Sequence, residues 1–164
     1  MMLRFQIFLT LASLSISSVA MAVQHSCADV ARATIRTAEY SGVGLGDTVS
    51  QMKKSLGYDK GDPRFGWAGK RSDGFFFLPH GTSTPAKDAI VHGVDFDLDV
   101  RDRVERITIS MICDAASSSE VVSILENAPQ PLLIKRGGKT VKTEVAPLFS
   151  NRSNIVNGIR LTAR

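Results

Sequence analysis

The chain has 164 residues, 43% of them hydrophobic and 22% charged, with a formal net charge of +4. That balance belongs to a folded domain with a real apolar core and excludes a disordered polar polymer. Two cysteines and three histidines, none of them clustered, exclude a zinc finger, and past the N-terminal segment no run is long and apolar enough for a membrane-spanning helix.

Residues 1–22, "MMLRFQIFLTLASLSISSVAMA", carry one charge at Arg4, an apolar run from Phe5 to Ala12, and the small residues Ala20 and Ala22 around Met21. This is the pattern of a secretory signal peptide cut after Ala22. A retained anchor is the competing reading, but Ser13, Ser15, Ser17 and Ser18 dilute the run below the roughly 20 apolar residues that span a bilayer. A lipid-modified cysteine is the other. Cys27 follows Gln24, His25 and Ser26, not a Leu-Ala-Gly type of stretch. The expected location is therefore the periplasm, with secretion as a variant, and residues 23–164 are expected to form one domain. In an oxidising compartment Cys27 and Cys113 are expected to form one disulfide, two buried thiols being the alternative.

"CADVARATIRTAEYSG" spaces Val30, Ala31, Ile35 and Ala38 as a short helix with Gly42 as its stop. The next stretch, "YSGVGLGDTVSQMKKSLGY", has three glycines at alternate positions. A dinucleotide fingerprint needs G-x-G-x-x-G after an apolar strand, and a P-loop needs G-K-[ST]. Neither is present. The features are those of a structural helix: Asp47 or Thr48 as cap, Gln51 completing a capping box with Thr48, Val49, Met52 and Leu56 on one stripe, and Gly57 as a left-handed stop.

Between Tyr58 and Ala89, turn-rich sequence surrounds a strand in which Phe75 and Phe77 share a face. Phe65, Trp67 and Phe75 are candidate contacts for a protein partner, since a buried aromatic supplies much of an interface's energy. The alternative is that they fold back onto the core. "VDFDLDVRDRVERITISMIC" alternates Val94, Phe96, Leu98 and Val100 with Asp95, Asp97 and Asp99, then returns through Ile107, Ile109, Met111 and Cys113. This is an antiparallel hairpin. Its aspartates lack the glycine and distant glutamate of a calcium loop, and Arg101, Arg103 and Arg106 are placed to pair with them across the turn. No metal is expected.

A third helix starts at Ser118 or Ser119, carries Val121, Val122 and Leu125, and stops at Pro129. Leu132–Arg136 and Lys139–Val145 form a hairpin around Gly137 and Gly138, and "NIVNGIRLTAR" is a last strand. Charge is sorted along the chain. Residues 23–129 hold 12 Lys and Arg against 15 Asp and Glu, and residues 130–164 hold 7 against 1. Lys135, Arg136, Lys139 and Lys142 are candidate contacts for an anion, a solvated sheet surface being the alternative. The order of elements predicts an α+β fold, short helices packed on one face of an antiparallel sheet.

"VGLGDTVSQMKKSLG" is similar to the G-x-[ST]-x-x-x-V-x-x-x-L-G helix of the SmpA/OmlA family, small outer-membrane-assembly lipoproteins also called BamE, and "VDFDLDVRDRVERITI" is similar to that family's strand, polar turn and V-x-x-I return. Residues 42–113 thus resemble that family and the fold it shares with beta-lactamase inhibitor protein. The chain departs from the pattern in lacking a lipobox and in its helix-and-hairpin extension over residues 117–164.

No Ser/His/Asp or Cys/His set can be assembled, with His80 and His92 alone outside the N-terminal tail. The expected function is non-enzymatic, without cofactor or nucleic acid: an exported protein that binds a macromolecular partner, as an envelope-assembly accessory or an inhibitor-like module. The alternative is a binder of an anionic envelope lipid or glycan through the basic hairpin.

Overall fold

Alternation of apolar and polar residues builds a sheet with one dry and one wet face. The computed structural model describes residues 26–59, 64–66, 74–79, 89–136, 138–151 and 153–164. The signal-peptide reading, Trp67 and His80 lie outside them. In chain order the elements are α1 (Cys27–Thr37), β1 (Glu39–Tyr40), β2 (Val43–Gly44), α2 (Val49–Ser55), β3 (Phe65–Gly66), β4 (Gly74–Phe77), β5 (Val91–Leu98), β6 (Val104–Met111), α3 (Ala115–Glu126), β7 (Leu132–Arg136), β8 (Lys139–Phe149) and β9 (Val156–Ala163).

Strands β3 to β9 form one antiparallel sheet in the order β3-β4-β5-β6-β9-β8-β7, and β1 pairs with β2 alone. Phe75, Phe96, Ile107, Leu161 and Val145 stand in one row across five strands, and Phe77, Val94, Ile109, Ile159 and Pro147 in the next. These rows face the helices, and all their members but Pro147 share one apolar cluster with Val30 and Ala31 of α1, Met52 of α2, and Val121 and Leu125 of α3. Each large side chain so buried stabilises by about 1.5–3 kcal/mol. The α+β architecture expected from the sequence is the one observed.

Thr48 caps α2 with the reciprocal Gln51 capping box, and Gly57 takes the left-handed conformation (φ 65°) just beyond it. Elsewhere local signals are overridden. Helix α1 stops at Ala38 (φ 50°) rather than Gly42, because Ser41 and Gly42, both at positive φ, form the two-residue turn that joins β1 to β2. Asp114, not Ser118 or Ser119, caps α3 by accepting the Ser117 amide at 2.7 Å. Ser118 lies inside that helix, where its Oγ accepts the Val156 amide at 2.8 Å. Strand β5 ends at Leu98, and Val100 is fully exposed, because the Asp99 carboxylate turns the chain by accepting the amides of Arg101 and Arg103.

Strand β8 continues past Val145 to Phe149 and includes Pro147. The Val145 amide faces the β7 side, so the missing donor of Pro147, two residues on, also faces that side, beyond the last residue of β8 registered with β7. No ladder bond is lost. Cys27 and Cys113 form a disulfide across 86 residues, tying the first turn of α1 to the exit of β6.

Candidate binding surface

Of the three aromatic candidates the structure describes two, Phe65 and Phe75, both on the helix side of the sheet. Phe75 is 8% exposed and belongs to the core, because it shares the inward parity of Phe77. This corrects its placement as a partner contact. Phe65 is half-buried, with its ring 5.1 Å from Phe77 and 4.8 Å from Tyr58. Lys53 Nζ closes this stack, 4.6 Å from the Tyr58 centroid and 5.2 Å from that of Phe75. Trp67 lies outside the described residues. The aromatic of β4 that faces outward is Phe76, whose ring covers the place a Cβ of Gly93 would occupy, at 2.7 Å.

The basic hairpin is split by strand parity. Arg136 and Lys139 are register partners on the helix side, whereas Lys135 and Lys142 project from the outer face. Arg136 is not available to an external anion. Its guanidinium donates to Glu39 Oε1 at 2.8 Å, to the Gly42 carbonyl at 2.9 Å and to Asp47 Oδ2 at 2.9 Å. Asp47 Oδ2 also accepts the Gly44 amide at 3.0 Å, and a Cβ on Gly44 would stand 1.9 Å from Arg136 Nη1. The glycine-rich stretch, which carries neither phosphate-loop pattern, is thus a cradle for an arginine of the chain's own hairpin.

The outer face is sorted by charge. On the β5 side lie Asp95 and Asp97, and Arg106 donates to Asp97 at 3.0 Å. Asp95 has no hydrogen-bond or ion-pair partner among the described residues. Its burial, and then the neighbouring Asp97 charge, push its pKa above the ordinary carboxylate value. Arg103, expected to pair with an aspartate, instead donates through its side chain to the Gly46 carbonyl at 3.0 Å. On the other side, β9 runs beside β8 and brings Arg160 opposite Ala146, in the same face as Lys135 and Lys142. Lys135, Lys142, Ala146 and Arg160 are all exposed. Arg164 pairs with Glu144; Lys135, Lys142 and Arg160 form no ion pair among the described residues. Arg160 was absent from the candidates read from the hairpin. Its outward parity is visible in "GIRLTA", yet its neighbourhood depends on where β9 inserts.

Among the described residues no group of three or more His, Cys, Asp or Glu is placed to hold a metal, and no helix is long and apolar enough to cross a membrane. Comparison with protein-family models, with curated proteins and with solved structures finds no match.

Proposed function

We propose that the chain is an exported, non-enzymatic protein of the SmpA/OmlA kind that binds a protein partner through the outer face of its sheet, as an envelope-assembly accessory or an inhibitor-like module. The observation that carries this reading is the sorting of that face: Arg160 on β9, Lys142 on β8 and Lys135 on β7 are exposed and form no ion pair among the described residues, and the acidic Asp95 and Asp97 lie on β5, two to four strands away. Such a pattern on a rigid sheet orients a complementary partner and suppresses others. The disulfide from Cys27 to Cys113 supports export, since such bonds persist in oxidising compartments.

The same cations favour a second reading, an anionic lipid or glycan as ligand. Crosslinking in the native envelope fraction at low and moderate salt, with wild type beside Lys142→Glu/Arg160→Glu, separates the two. A discrete protein captured at both salts by wild type and lost from the variant supports the first. Recovery of lipid or glycan alone, fading as salt rises, overturns it in favour of the second.

A further inference from the structure

Strand β7 is a terminal strand of the sheet, and among the described residues nothing pairs with its outer side. At the opposite end of the sheet lies β3, of which Phe65 and Gly66 are described; short strands and bulges are how sheets ordinarily blunt an edge. Strand β7 is different. It holds five consecutive register pairs with β8, Leu132↔Thr143 to Arg136↔Lys139, without a bulge.

The polarity of that edge follows from bonds on either side of β8. The Gln130 side chain imitates a ladder residue, donating to the Val145 carbonyl at 3.1 Å and accepting the Val145 amide at 3.2 Å, so Val145 faces β7 with its backbone groups. The Lys142 carbonyl instead accepts the Arg164 amide, on the β9 side. Backbone direction alternates along a strand. Thr143, Val141 and Lys139 therefore bond to Leu132, Ile134 and Arg136, and it is Leu133 and Lys135 that turn their N–H and C=O outward. Both ends of this edge are fixed, by Gln130 at the entry and by the three bonds of Arg136 at the exit. A pre-ordered edge loses little freedom when a strand is added.

The side chains state what that strand must carry. On the helix side Leu132 is buried and Ile134 half-buried, so an added strand needs apolar residues there. On the outer side Leu133 is 64% exposed beside Lys135, and Lys142 stands opposite Leu133. We infer that the edge of β7 receives an extended segment of the partner as an added strand, with alternate apolar residues toward Leu132 and Ile134 and carboxylates toward Lys135 and Lys142. A second copy of this chain is a poor occupant, since the antiparallel register that uses both outward residues sets Lys135 opposite Leu133 of the copy and offers no carboxylate to Lys135 or Lys142. A lone lysine on an edge is also a device against aggregation, but that device requires neither an exposed Leu133 nor a ladder fixed at both ends. The inference rests on the reading that the chain binds a protein partner, and it names the chemistry of the partner's contact.

The test is an NMR titration of the disulfide-bonded protein with a capped peptide of alternating valine and glutamate. Controls are the same peptide with lysine for glutamate and a version N-methylated on the amides that would face β7. Saturable shifts centred on the Leu133 and Lys135 amides are expected, absent with both controls. Lys135→Glu should weaken binding about tenfold, and Leu133→Pro, which removes an outward donor while sparing the β8 ladder, should abolish it with the circular dichroism spectrum unchanged. No saturable binding, binding that tolerates N-methylation, shifts confined to the outer face, or dimerisation through β7 each overturn the inference. If Leu133→Pro fails to fold, the N-methylated peptide and Lys135→Glu decide alone. Protein capture in the crosslinking experiment that persists in Lys135→Glu and Leu133→Pro overturns the edge inference and leaves the broader reading standing; capture of no protein by wild type overturns that reading itself.

Discussion

Asp47 Oδ2 accepts Arg136 Nη2 at 2.9 Å across 89 residues of chain, with the Asp47 side chain 11% and the Arg136 side chain 21% exposed. This pair locks the tip of the C-terminal hairpin to the loop that precedes α2, and Gly44 leaves the room for it.

Removing the arginine strands two carboxylates, Asp47 and the 28% exposed Glu39. Arg136→Met should lower stability by about 2 kcal/mol in urea unfolding. Gly44→Ala should cost a similar amount, because the new Cβ displaces the guanidinium, but should be neutral within about 0.5 kcal/mol in the Arg136→Met background. Additive losses would show that Gly44 serves some purpose other than clearance for Arg136.

The Cys27–Cys113 bond closes a separation of 86 residues. In the chain-entropy account a loop of that length is worth about 4.6 kcal/mol. Cys27→Ala/Cys113→Ala should therefore melt well below wild type, and a reductant should lower the wild-type melting temperature and leave the variant's unchanged.

Asp95 and Asp99 should give opposite pH slopes. Burial and then Asp97 raise the Asp95 pKa, so its contribution is present below the ordinary carboxylate value and is lost as pH rises through the raised one. Asp95→Asn should be more stable than wild type at neutral pH, the gap closing below about pH 4. A gap independent of pH would remove the ionised carboxylate as its cause.

Asp99 is the reverse case. Amide donation from Arg103 and then from Arg101 holds its pKa below the usual value, so its contribution is present above that value and fades as pH falls through the depressed one. Asp99→Asn should be less stable than wild type at neutral pH and match it in acid, as read from urea midpoints across the range.

Local sequence determined the longer elements and their faces, but not the two-residue strands β1 and β2. Val94, Phe96, Ile107 and Ile109 declared their strands by alternation, and Thr48 with Gln51 declared the start of α2, because both signals depend on neighbours within a few residues. Where a local signal failed, as with Ser118 for the start of α3 and Gly42 for the stop of α1, a contact made elsewhere in the fold decided: the Val156 amide takes the Ser118 hydroxyl, and the β1–β2 turn takes Gly42.

The candidate surface was legible only in part. Lys135 and Lys142 were visible as a basic hairpin, but parity alone sends Arg136 and Lys139 to the other face. What no local pattern carried was the insertion of β9 between β6 and β8, which sets Arg160 in the face of Lys142 and leaves β7 as the edge, or the reach of Arg136 back to Asp47. Sequence periodicity fixes which side of a strand is wet; which strands become neighbours, and which edge stays open, is settled by long-range packing of the shared core.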